Sequence, residues 1–118
     1  MKKEITILAV LSLLLLSACT QQASAPATSA PGAPEGSIVK VSIKNFAFSP
    51  ADITVKAGDT VEWTNEDSSS HTVQSTDRTV QSQELFPGDK FSYKFNKKGN
   101  YNYICSIHPS MHGSVKVE

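Results

Sequence analysis

The chain has 118 residues, with 11 Lys and Arg against 11 Asp and Glu, 39% hydrophobic residues and two cysteines. Balanced charge without a basic stripe argues against a nucleic-acid partner. Two cysteines are too few for a disulfide scaffold.

Lys2 and Lys3 precede an apolar run, Ile5 to Leu16, broken only by Thr6 and Ser12. The run is short for a membrane-spanning helix and fits the apolar region of an export signal. It ends in Leu16-Ser17-Ala18-Cys19, which resembles the lipobox of prokaryotic lipoproteins. Residues 1–18 are therefore expected to be a lipoprotein signal peptide, with Cys19 lipidated as the first mature residue. The plainer reading is a secretory signal cut at small residues, with Cys19 incidental. Loss of Lys2, Lys3 and Glu4 leaves nine basic and ten acidic residues, a net charge of −1 before the new terminus is counted.

Thr20 to Gly36 is rich in Ala, Ser and Pro and has no aromatic residue. Such a segment buries too little apolar area to offset its ordering entropy, so residues 19–36 read as a lipidated cysteine and flexible linker. The folded domain is expected over 37–118. It is small enough that its core is modest, and a bound metal is expected to add to its stability.

From Ser37 onward the pattern has period two with turn punctuation. Val39, Val41 and Ile43 alternate with polar residues, and Phe46 and Phe48 continue an apolar face to Ser49-Pro50. Ile53 and Val55 form a short strand, and Val61 and Trp63 another. His71-Thr72-Val73 restarts a strand after a polar loop, while Ser75 to Gln83 reads as a loop or a short helical turn. Phe91, Tyr93 and Phe95 alternate, as do Tyr101, Tyr103 and Cys105, and Val115 and Val117 form the last strand. These elements predict an all-β, antiparallel Greek-key β-sandwich of about seven or eight strands. The aromatic residues at strand spacing are expected mainly in its core.

Cys105-Ser106-Ile107-His108-Pro109-Ser110-Met111 places a thiolate, an imidazole and a thioether within one tight loop. A soft thiolate, two imidazoles and a weak axial thioether suit one copper ion cycling between Cu(I) and Cu(II). His71, on a separate strand, supplies the second imidazole. Met111 is the only Met besides the initiator, and Cys105 the only Cys once Cys19 is lipidated. Singly, each of these residues would most often be core or surface; the spacing carries the reading. His112 reads as a surface residue.

The domain resembles the cupredoxins, and is most similar to amicyanin and plastocyanin. The resemblance rests on Asn65-Glu66-Asp67 leading to His71, and on Gly99-Asn100-Tyr101 running into Cys105-Ser-Ile-His108-Pro-Ser-Met111-His-Gly113. The gap between His108 and Met111 resembles the short ligand loop of amicyanin. The resemblance implies His71, Cys105 and His108 as equatorial ligands and Met111 as the axial one, in a type 1 site. Thr72 stands where both relatives usually carry an Asn that braces the cysteine loop. Thr72, Asn65 and Pro109 are the expected supporting residues around the ligands.

The expected function is single-electron transfer by an outer-sphere route, through a partner docking near His108. The resemblance to amicyanin hints at a dehydrogenase and a c-type cytochrome as partners. The protein is expected to be a monomer, exported and tethered by lipid, facing the periplasm or the cell exterior. Copper storage, delivery or sensing in the envelope is the alternative. Enzymatic activity is not expected: three His are too few for a multicopper oxidase, and the loop lacks the second Cys of a binuclear centre.

Overall fold

The computed structural model describes residues 36–118. The expected signal segment, Cys19 and nearly all of the linker lie outside these residues. Eight strands follow in order: β1 (Ile38–Lys44), β2 (Ala47–Ser49), β3 (Asp52–Val55), β4 (Thr60–Asn65), β5 (Gln74–Ser75), β6 (Lys90–Lys94), β7 (Gly99–Ile104) and β8 (His112–Val117). They form two four-stranded sheets, ordered β2-β1-β4-β6 and β3-β8-β7-β5. There is no helix among the described residues.

The all-β sandwich expected from the alternation is present, but each sheet is mixed. β1 pairs with β4 in parallel, and β3 pairs with β8 in parallel. The cause is connectivity. After the β1–β2 hairpin the chain crosses to the other sheet as β3, so β4 returns beside β1 running the same way. A period-two pattern fixes which side chains face inward and says nothing of which strand lies alongside.

Val41 and Ile43 of β1, Val61 and Trp63 of β4, and Val115 and Val117 of β8 alternate inward and are almost wholly buried. Trp63 stacks on Phe91 at 5.7 Å and meets Tyr103 edge-on at 5.5 Å. Burying an aromatic of this size contributes roughly 1.5–3 kcal/mol, and the Trp63–Tyr103 contact joins the two sheets. Burial also pushes the Tyr103 phenol up to about 12. Gly113 pairs with Tyr103 across β7 and β8. A Cβ there would lie 2.5 Å from the Tyr103 phenol and 2.6 Å from the Ala51 carbonyl, so the position has room only for glycine.

Phe46 departs from expectation. Instead of continuing the inward face, it forms with Asn45 the two-residue turn between β1 and β2, where Lys44 pairs with Ala47. Both turn residues have positive φ, 54° and 55°, as a type I′ hairpin turn requires. The turn restores the phase, so Ile43 and Phe48 face each other inside, while Phe46 is 53% exposed. A bulky side chain in this conformation costs on the order of 1–3 kcal/mol. The Asp67 carboxylate holds the turn, accepting the Asn45 N–H at 2.6 Å and the Phe46 N–H at 2.9 Å.

The segment after β5 is a loop built on Asp77. Its carboxylate accepts from the Ser75 hydroxyl at 2.5 Å, the Thr79 hydroxyl at 2.7 Å and the Thr79 N–H at 3.0 Å. Those bonds, led by Ser75 and then Thr79, lower the Asp77 carboxyl from 3.8 to about 2. A depressed carboxyl stabilises the fold above its unfolded pKa and loses that contribution as pH falls through its folded one. Asp77→Ala should therefore lower the urea midpoint at neutral pH. The gap to the wild type should close as pH falls from 3.8 to about 2. A gap unchanged across that window would show that the carboxylate charge is not what the loop depends on.

Candidate metal centre

β7 ends at Ile104, and Cys105 follows as the first residue of the connection to β8. The connection is closed on itself: Cys105 N–H donates to the Met111 carbonyl at 3.1 Å, and Met111 N–H to the His108 carbonyl at 2.9 Å. His108 is thereby folded back over the cysteine. His71 arrives from the segment between β4 and β5, and is held by paired backbone bonds with Leu85, of 3.0 and 2.8 Å. It forms an isolated bridge with Leu85 rather than opening a regular strand; that strand, β5, starts only at Gln74.

The Cys105 sulfur lies 3.8 Å from His71 Nδ1 and 3.7 Å from His108 Nδ1. The three ligand atoms all fall within 4.8 Å of one another. His71 and Cys105 are fully buried, and His108 is half-buried. Met111 is buried at the end of the same loop. Donor atoms 3.7–3.8 Å apart are spaced as two ligands of a single ion with bonds of roughly 2.0 Å to nitrogen and 2.3 Å to sulfur. The donor set fits copper: a soft thiolate and two imidazoles, with a thioether on the same loop.

His71 is oriented by a residue that sequence reasoning did not single out. Asp67 Oδ2 lies 2.9 Å from His71 Nε2. The carboxylate already accepts two backbone N–H groups and here accepts a third hydrogen bond, from Nε2–H. The Nδ1 lone pair is thereby left facing the sulfur. Burial pushes the Asp67 carboxyl up, but bonds from Phe46 N–H, Asn45 N–H and His71 outweigh it and hold it below the usual carboxylate value. The signal in the sequence was the Asp four residues before the His, in a stretch noted only for its resemblance.

Of the expected supporting residues, Thr72 touches the site directly. Its N–H points at the Cys105 sulfur at 3.3 Å. Its hydroxyl accepts the Ser106 N–H at 2.8 Å, sits 2.7 Å from the Ser106 hydroxyl and 3.8 Å from the sulfur. Thr72 thus makes the loop contact for which an Asn is usual. Asn65 acts one layer out, fully buried, donating to the Ser69 and Leu85 carbonyls at 2.8 Å each and accepting the Asp67 N–H at 3.0 Å. It fixes the loop that carries Asp67 and His71, and its side-chain hydrogen bonds go to neither imidazole. Pro109 is exposed on the loop. His112 is exposed too, with Nδ1 3.0 Å from the Ser110 carbonyl.

Comparison with known proteins agrees with this geometry. The family model described as a cupredoxin-like domain matches residues 6–117. The chain belongs to the cupredoxin-like family. Amicyanin-alpha of Methylorubrum extorquens is 37% identical over 91 residues, spanning 73% of this chain and 76% of that protein. Among solved structures, a purple cupredoxin from Nitrosopumilus maritimus superposes with a TM-score of 0.64 at 33% identity, over 68% of this chain and 99% of that one. A Cu-containing nitrite reductase from Thermus scotoductus superposes with a TM-score of 0.66 at 31% identity, over 73% of this chain but only 23% of its own.

Thr72→Ala removes the hydroxyl that bridges to Ser106 and leaves the Ser106 N–H without its partner. It should cost about 1–3 kcal/mol of metal-free stability in denaturant titration, while Thr72→Ser should recover most of it. Equal midpoints for Thr72→Ala and the wild type would show that the hydroxyl does not brace the loop.

Proposed function

We propose that this cupredoxin-like protein is a small blue-copper electron carrier of the cell envelope. The reading rests on one observation: Cys105 sulfur and the Nδ1 atoms of His71 and His108 converge within 4.8 Å. His71, Cys105 and His108 would hold the ion equatorially, with Met111 as the axial ligand. Bound copper would supply a one-electron couple. The protein's part is to keep the donor set rigid through Asp67, Thr72 and Asn65, so that little rearranges when the charge changes.

The same geometry supports the route. Cys105 and His71 are buried, so His108 is the ligand nearest solvent. Exposed Phe46 and Ile107 flank it, and Phe86 follows Leu85, the bridge partner of His71. A small apolar rim around a half-buried imidazole suits weak, transient docking by a redox protein. A c-type cytochrome or a dehydrogenase is the kind of partner we propose, with the carrier acting as a monomer. We assign no enzymatic reaction. A single group of ligand side chains is found among the described residues, and the likeness to the nitrite reductase spans under a quarter of that chain.

For the rest of the chain we propose a signal peptide over 1–18, lipidation at Cys19, a flexible linker to residue 36 and the copper domain over 37–118. Support comes from Leu16-Ser17-Ala18-Cys19 and from the Ala, Ser and Pro-rich stretch after it. On this proposal the protein is exported, held to a membrane through Cys19 and facing the periplasm or the exterior.

The purified protein should take up one equivalent of Cu(II) with an intense visible charge-transfer band, and Cys105→Ser should abolish that band. A colourless copper complex, or a band that survives Cys105→Ser, would contradict the assignment. Ready transfer of Cu(I) to a chelating acceptor, in place of reversible redox cycling, would favour copper storage or delivery instead.

A further inference from the structure

The β1–β2 turn breaks a local rule at a single residue. A type I′ turn wants Asn then Gly, because both positions need positive φ. Asn45 satisfies the first position. Phe46 stands at the second, with φ 55° and the residue 53% exposed. A bulky residue in the left-handed region is an outlier, and an exposed ring recovers little from burial. Where local preference is overridden in this way, the reason lies in what the side chain reaches.

The Phe46 ring reaches the two imidazoles. Its centroid lies 5.4 Å from that of His71 and 5.1 Å from that of His108, with interplanar angles of 85° and 89°. The two imidazoles are themselves 5.0 Å apart. The three rings thus form a nearly equilateral set, with Phe46 nearly perpendicular to both others, a favourable aromatic geometry. The backbone that aims the ring is fixed by the carboxylate that orients His71, since Asp67 Oδ2 takes both the Phe46 N–H and His71 Nε2.

We propose that Phe46 is a positioning residue of the metal centre: it holds the His71 and His108 rings at their separation and screens the space between them from water. This rests on the copper reading above. The strained turn residue is the one whose side chain meets both rings at once.

The test compares the wild type with Phe46→Gly, which restores the residue the turn prefers, and with Phe46→Asn, which also tolerates positive φ. Phe46→Tyr keeps the ring. The readouts are unfolding of the metal-free protein, the visible band of the Cu(II) form, and the solvent-proton relaxation rate induced by bound Cu(II). Phe46→Gly and Phe46→Asn should unfold no earlier than the wild type without metal. With Cu(II) they should keep a visible band, shifted and broadened, while solvent relaxation rises several-fold. Phe46→Tyr should restore the wild-type band and relaxation. Wild-type band and relaxation in Phe46→Gly and Phe46→Asn would overturn the proposal and reduce Phe46 to a packing residue of the hairpin. A wild-type protein with no band at all would overturn the copper reading and this inference with it. The two failures are therefore told apart by the wild-type spectrum.

Discussion

The contact between Thr72 and the Cys105–Ser106 corner is the constraint on which the site depends. His71 and Cys105 are 34 residues apart and lie on different strand connections. Nothing local brings an imidazole and a thiol together across that distance, and closing so long a loop costs entropy that specific contacts must offset. The offset is concentrated at Thr72, whose N–H faces the sulfur while its hydroxyl receives the Ser106 N–H. His71 precedes it by one residue, so fixing Thr72 against the loop also fixes the ligand. The hydrophobic sandwich supplies the scaffold; this small polar junction sets the register of one half of the site against the other.

A second junction works from the solvent side. Asp67 gathers three donors, the N–H groups of Asn45 and Phe46 and the Nε2–H of His71. One carboxylate therefore sets the tautomer of a buried imidazole and the shape of an exposed turn. Asn65 in turn holds the Asp67 backbone, with both amide donors on the Ser69 and Leu85 carbonyls and its oxygen on the Asp67 N–H. The carboxylate is kept out of the immediate metal position and held one hydrogen bond away, where it orients an imidazole without competing for the ion. The result is a preformed donor set in which His108 alone approaches solvent, the asymmetry an outer-sphere electron carrier needs.

Legibility in the sequence followed the range of each interaction. The Cys105–Met111 loop could be read directly because its donors lie within seven residues and its closing bonds are internal. His71 could be read from scarcity, there being three His in the whole chain. Strand faces were legible from alternation in β1, β4, β7 and β8. The parallel pairings of β1 with β4 and β3 with β8 were not, because alternation is blind to neighbours. Phe46 was read on one apolar face with Phe48 because the two share parity; it lies instead in the two-residue turn before β2, and its positive φ has no signature when Phe stands in place of Gly. Asp67 escaped notice for a related reason: its partners, Asn45 and Phe46, are 22 and 21 residues upstream, on another strand connection. The hydroxyl of Thr72 was anticipated as a loop contact, but its backbone N–H against the sulfur became visible only in three dimensions.

The central claim is that one thiolate and two imidazoles, brought together by these junctions, bind a single copper ion. X-ray absorption at the copper edge of the loaded protein tests it most directly. The account predicts one short sulfur neighbour and two imidazole nitrogens, with the sulfur shell lost in Cys105→Ser. A shell of nitrogen and oxygen alone, or two equivalent short sulfurs, would contradict it.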